Sequence, residues 1–307
     1  MVNAASRPTL VLPADMDTRP MSLPELVAIT PASPIAGVRS YLNIPYASPP
    51  GYRPLLLDLH VPEDGTALGR PAVVYAHGGG FQVGTKAMGG WRFLLDAGYA
   101  VASVDYRLSG ESRFPGPVHD VAAAVRWVRA NAAEYGLDPG RIAGFGSSAG
   151  GYLLSAVALT SGTELVGALG PTPEVSCALA AVIDHYAPTD FLRIDDDAPE
   201  DVIEVSNAPD TSASRFLGFV ATDRPDDADL ARLSRYAGPG SPPFLIMHGD
   251  ADKRVGLGQS RRLHAALAEC GARAALVVVP GADHADPKFD QPPAREAMLS
   301  FLSETLH

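Results

Sequence analysis

Residues 141–152 read Arg141-Ile-Ala-Gly-Phe-Gly-Ser-Ser-Ala-Gly-Gly-Tyr152. An apolar run, Arg141 to Phe145, leads into Gly146-Ser-Ser-Ala-Gly150, a G-x-S-x-G pattern centred on Ser148. Small residues from Gly151 to Thr160 follow it. A strand, a tight turn and a helix in that order lift Ser148 out of the backbone at the strand's end. Glycine is needed on either side because a Cβ there would collide with neighbouring chain. The serine then stands at a helix N-terminus, where unpaired N–H groups and the helix dipole favour negative charge. Alone, the pattern favours chemistry over a bland Gly/Ser turn, and the rest of the chain decides between the two.

With 307 residues, 46% hydrophobic and 19% charged, the chain has room for one large α/β domain or two small ones and the composition of a soluble globule. Net charge is −11 and no Lys/Arg-rich run occurs, so neither nucleic acid nor an anionic membrane surface is expected as a partner. Cys177 and Cys270 lie far apart and form no metal motif; they read as buried free thiols. No apolar run approaches the roughly 18–20 residues of a membrane span. The N-terminus lacks the basic-then-apolar order of a secretory leader, so a cytoplasmic location is expected, although a mature secreted chain would read the same.

Residues 1–50 are broken repeatedly by proline (Pro8, Pro13, Pro20, Pro24, Pro31, Pro34) and read as an arm that wraps the domain or contributes to a cap. Residues 51–307 read as the main domain. Strands are expected at Tyr52–Val61, Ala72–Ala76, Tyr99–Val104, Arg141–Phe145, Leu179–Asp184, Phe244–Met247 and Ala274–Val279. Helices are expected at Ala87–Asp96, Val118–Glu134, Gly151–Thr160, Gly258–Glu269 and Pro293–Glu304. Apolar strands alternating with helices predict a mostly parallel central sheet covered on both faces. The irregular stretch at about 190–237, with a short helix at Ser212–Val220, reads as a lid-like excursion. Its acidic run (Asp195, Asp196, Asp197, Glu200, Asp201, Glu204) reads as a solvated face.

In such a sheet, sites form at the carboxyl ends of the strands. Four loops fall there: His77–Phe81, Gly146–Gly150, Gly249–Asp252 and Gly281–His284. They bring one nucleophile, one carboxylate and one imidazole together in the order Ser, Asp, His. Serine needs a base within hydrogen-bond reach. His284 is favoured because it follows a core strand in a glycine-containing loop. His248 looks like turn formation, His119 and His264 sit within helices, and His185 precedes the expected place of the acid. Of the carboxylates that could orient the base, Asp252 is favoured over Asp250, which can brace the turn, and over Asp184, Asp190 and Asp283. Gly78-Gly79-Gly80 offers unobstructed backbone N–H groups to a developing oxyanion, and Ala149 offers another. No Walker-type Gly-Lys-Ser/Thr is present and no G-x-G-x-x-G follows the first strand, so nucleotide binding is disfavoured. Ser147 competes with Ser148, but the glycine frame puts Ser148 at the apex.

His77-Gly-Gly-Gly-Phe81, Asp105-Tyr-Arg-Leu108, Gly146-Ser-Ser-Ala-Gly150, His248-Gly-Asp-Ala-Asp252 and Gly281-Ala-Asp-His284 together resemble the α/β-hydrolase carboxylesterases of the hormone-sensitive-lipase-like and BD-FAE-like group. The resemblance spans about residues 55–290. It implies an α/β-hydrolase fold with a small lid or cap, and Ser148 as nucleophile, Asp252 as orienting acid and His284 as base. It implies the N–H groups of Gly79, Gly80 and Ala149 as the oxyanion hole, and Arg107 and Asp120 as structural supports. No cofactor and no metal are implied, and the expected partner is a small-molecule ester. Two alternatives to ester hydrolysis are an amide- or peptide-cleaving relative and a non-catalytic binder using the same pocket. Ala285-Asp286, where the family has a small residue, puts an acid near the site. Phe81 and Trp91 are candidate pocket walls, Trp91 being equally a core residue.

Overall fold

The computed structural model of the chain describes residues 35–63 and 69–306. Eight strands form one sheet among them: β1 (Val38–Ala47), β2 (Leu55–Pro62), β3 (Arg70–Ala76), β4 (Ala100–Val104), β5 (Leu137–Ser147), β6 (Val182–His185), β7 (Phe244–Gly249) and β8 (Ala274–Val279). Their spatial order is β1-β2-β4-β3-β5-β6-β7-β8. β1, β2 and β4 pair antiparallel, and every pair from β4 to β8 is parallel. The valine-rich runs at β3 and β4 are buried throughout their pairing, as strands covered on both faces must be.

The helices are α1 (Arg92–Asp96), α2 (Gly116–Ala130), α3 (Ala149–Thr160), α4 (Ser212–Leu217), α5 (Pro225–Asp229), α6 (Gly258–Glu269) and α7 (Pro292–Leu306). On one sheet face, Leu57, Val74, Val104 and Ile142 pack with Val125 of α2, Leu154 of α3 and Leu263 of α6. On the other, Val73, Tyr75, Val101 and Phe145 pack with Leu94 of α1 and with Met298 and Leu302 of α7. Neighbours Val73 and Val74, and Val74 and Tyr75, point to opposite faces, the two-residue period of a strand. The cavity described below lies where these faces meet the carboxyl ends of the strands.

Two stretches depart from the sequence reading. The arm expected over residues 1–50 contains strand β1, while residues 1–34 lie outside the described residues. β1 hides its period because its register slips between Tyr41 and Ile44 and again between Pro45 and Ala47, with Asn43 at φ 57° between. The helix expected from Ala87 begins only at Arg92. Gly89 (φ 123°) rests on the Tyr75 ring and Gly90 on the Asp290 carboxylate, so this part of the chain is committed to a loop. The acidic face is also partly structural. Asp195 accepts the N–H groups of Ser206 and Asn207, and Asp197 accepts Gln259 Nε2 and the Arg262 guanidinium. No helix among the described residues is long and apolar enough to cross a membrane.

Candidate active site

Ser148 caps α3 with φ 53° and ψ −118°, outside the regions open to an unstrained L-residue. The turn is forced by its neighbours. A Cβ on Gly146 would lie 2.3 Å from the Gly150 carbonyl, and one on Gly150 would lie 2.0 Å from the Ala76 oxygen. The Ser148 N–H is tied to the His185 carbonyl at 2.7 Å, which fixes the elbow to the end of β6.

Three strand-end loops converge here. His284 Nδ1–H donates to Asp252 Oδ2 at 2.7 Å, leaving Nε2 free to accept from the Ser148 hydroxyl at 2.9 Å. Asp252 Oδ1 accepts the N–H groups of Arg254 and Val255 at 2.8 and 2.9 Å. Burial works to raise the Asp252 pKa. The hydrogen bonds from His248 and His284, the positive charge available on His284 and the Val255 N–H outweigh it and hold the carboxyl well below the usual range. Asp252 is therefore ionised wherever the imidazole needs a partner.

His248, expected from the sequence to form a turn, is a brace for Asp252. Its Nε2–H donates to the Val255 carbonyl at 2.8 Å and lies 3.2 Å from Asp252 Oδ2, while Nδ1 accepts from the Ser260 hydroxyl at 2.6 Å. The signal was present in the four-residue spacing of His248 and Asp252. Asp250 braces a turn, that of the adjoining loop, by accepting the Gly281 N–H. Asp283 accepts the N–H groups of His284 and Lys253 and so joins the loops that carry the base and the acid. Asp184 is buried under Ser155 Oγ and the Ala187 N–H, away from the imidazole.

The glycine loop passes directly over the serine: a Cβ on Gly78 would stand 3.3 Å from Ser148 Cβ. Gly79 and Gly80 have φ of 118° and 58°, and a Cβ on Gly79 would strike the Val83 carbonyl at 2.0 Å. Gly79 and Gly80 line the same cavity as Ser148, and Ala149 is the first residue of α3. Behind them Tyr106 donates to the His77 carbonyl at 2.9 Å, and the Arg107 guanidinium and N–H both reach the buried Asp120 carboxylate. Neither Arg107 nor Asp120 lines the cavity.

A model of the BD-FAE family matches residues 57–267, which include the glycine loop, the elbow and Asp252. The chain belongs to the BD-FAE family. The match stops before His284, whose place rests on the geometry above. Among curated relatives, the BD-FAE chain is 46% identical over 194 residues to a carboxylesterase, NlhH, of Mycobacterium tuberculosis, covering 59% of this chain and 56% of that protein. It is 30% identical over 250 residues to the esterase LipQ of the same organism, covering 79% of this chain and 56% of LipQ. The chain thus spans little more than half the length of either. Among solved structures, a truncated carbohydrate esterase from gut microbiota superposes with a TM-score of 0.79 at 29% identity, over 87% of this chain and 96% of that one.

Ser148 and His284 open into a cavity of about 890 Å³. Phe81 lines it, stacked on Phe216 with ring centres 3.8 Å apart, whereas Trp91 stacks on His60 in the core and does not. Residues 190–237 supply Phe191, Ile194, Ile203 and Ala213 to its wall. Asp286, the acid flagged next to the imidazole turn, lines the cavity but is spent on local structure, accepting the Lys288 N–H. The acid left without a donor among the described residues is Asp290, which the sequence reading did not single out.

Proposed function

We propose that this BD-FAE protein is a carboxylic ester hydrolase acting on small-molecule esters, with Ser148 as nucleophile, His284 as base and Asp252 as the acid that orients it. The observation that carries the reading is the continuous chain of two hydrogen bonds, Asp252 to His284 to Ser148, at 2.7 and 2.9 Å. The esterase names of the relatives support ester bonds as the target.

In this reading Ser148 Oγ attacks the ester carbonyl carbon as His284 Nε2 takes its proton, and Asp252 stabilises the imidazolium. The carbonyl oxygen becomes an oxyanion held by the N–H groups of Gly79, Gly80 and Ala149. The C–O bond then breaks, and the alcohol oxygen leaves with the proton from His284. Water repeats the sequence on the acyl-serine and releases the acid. Residues 190–237 form a fixed cap over the acyl side of the cavity.

Turnover of phenyl acetate and of acetanilide by the wild-type chain and by Ser148→Ala tests this. The expected result is rapid cleavage of the ester, far slower cleavage of the amide, and loss of both in the variant. Full ester turnover in Ser148→Ala, or a preference for the amide, overturns it.

A further inference from the structure

The cavity has two unlike walls, and they belong to the two faces of the sheet. Phe81, Phe191 and Ala213 are carbon surfaces on the α2/α3 side. On the α1/α7 side stand Tyr75, Tyr186 and Ser147, with Asp290 at the rim. Tyr75 and Tyr186 are almost wholly buried, yet their bonding capacity is not used up within the protein. The Tyr75 hydroxyl has only a long contact, 3.5 Å, to Ser147 Oγ, and Tyr186 lines the same cavity. Buried hydroxyls as a rule find full partners. The His185 Nε2 beside them is buried and has no hydrogen-bond partner, and this side chain lines the cavity too. The Asp290 carboxylate borders Gly90, lines the same cavity, and accepts nothing from the described residues. Five groups able to hydrogen-bond thus face one side of the cavity with capacity to spare.

Position says which part of a substrate meets them. The leaving oxygen must come within hydrogen-bond reach of His284 Nε2 to be protonated. The His284 ring stands edge-on to Tyr186, with centres 4.7 Å apart. The alcohol part of an ester therefore leaves along the hydroxyl-lined wall, and the acyl part turns to the aromatic one.

Building on the esterase reading, we propose that Ser147, Tyr75 and Tyr186, together with the Asp290 carboxylate, form a leaving-group subsite selecting esters whose alcohol carries a second hydroxyl close to the ester oxygen. A site built to bond a substrate hydroxyl discriminates against the analogue lacking it, because its own polar groups are then left unpaired. Ser147, the neighbour of the nucleophile, is here a specificity residue, and Asp290 accepts a hydrogen bond from the second hydroxyl of the substrate.

The test compares ethyl acetate with 2-hydroxyethyl acetate, which share an acyl group and differ by one hydroxyl on the alcohol. The wild-type chain is expected to favour the hydroxylated ester in kcat/KM by about tenfold or more, mainly through KM. That ratio falls toward one in Ser147→Ala and in Asp290→Ala. Asp290 is exposed, so its variant carries the test even where Ser147→Ala folds poorly. A wild-type ratio near one, or equal losses on both esters in the variants, overturns the subsite while leaving the esterase reading standing. No turnover of either ester, or turnover surviving Ser148→Ala, overturns that reading and the subsite with it.

Discussion

The loops carrying Ser148, Asp252 and His284 and the excursion at 190–237 border the same cavity, but different forces hold them. The loops are set by the chain next to them. Each follows a parallel strand, β5, β7 or the edge strand β8, and close approaches such as Gly150 on the Ala76 carbonyl leave one backbone path. The excursion is set from afar. Gln259 of α6 gives its side-chain oxygen to the N–H groups of Thr189 and Asp190 and its nitrogen to Asp197, and Arg262 clamps the same aspartate. One region is specified by glycines and strand ends, the other by side chains some seventy positions distant in the chain.

The largest expected effect lies in the first region. Replacing the base, His284→Ala, is expected to lower kcat/KM for an aryl acetate by about 10⁴-fold or more. Asp252→Asn removes the charge but keeps the shape, and a loss of about 10³- to 10⁴-fold is expected from the misheld tautomer. In both, KM is expected to change little; the urea midpoint is expected to hold in His284→Ala and to fall only modestly in Asp252→Asn, which loses a buried carboxylate held ionised by its hydrogen bonds. A comparable loss of fold stability would instead mean that these residues act as structural braces.

The second region should respond in the opposite sense. Gln259→Ala removes the acceptor of the buried Thr189 and Asp190 N–H groups and the donor to Asp197, and is expected to cost about 2–3 kcal/mol of stability in urea titration. Activity is expected to fall mainly through a raised KM, as the wall bearing Phe191 and Ile194 loosens. A selective fall in kcat would mean that the excursion touches the chemistry and would erase the contrast.

A further effect, confined to acid pH, comes from buried histidines. Burial pushes the His185 imidazole down to about 3 and the His77 imidazole to about 4, against 6.5 for an unconstrained histidine. The unfolded chain therefore takes up protons that the folded one refuses as pH falls below about 6.5, and stability declines through that window. Asp105 and Asp184, pushed up by burial to about 6, act in the other direction and add stability between about pH 6 and pH 4. His185→Gln removes one of the refusing groups. Its stability loss between pH 6.5 and pH 4 should be smaller than that of wild type by a few kcal/mol. An unchanged slope would mean that His185 is charged in the folded chain.

The same contrast accounts for what could be read in advance. The elbow, the glycine loop and the Asp252 and His284 loops announce themselves because each is a local conflict between backbone and side chain that few residues resolve. Seven of the strands were legible from apolar runs with clean ends. β1 was not, because two register slips break its alternation, and the start of α1 was not, because Gly89 and Gly90 are held by Tyr75 and Asp290 across the sheet edge. His248 supporting Asp252 is local, and their four-residue spacing carries it. The convergence of Tyr75, Ser147, Tyr186 and Asp290 on one wall depends on strands meeting in space, and no spacing along the chain reveals it.

The central claim is that one serine, activated by His284, carries the chemistry. Its most direct measurement is stoichiometric labelling with a fluorophosphonate, followed by peptide mapping by mass spectrometry, on wild type and on His284→Ala. The expected result is one adduct per chain, on Ser148 within the peptide that also contains Ser147, forming in step with loss of activity and far more slowly in the variant. An adduct on Ser147 or elsewhere, or labelling of Ser148 at an equal rate without His284, would contradict it.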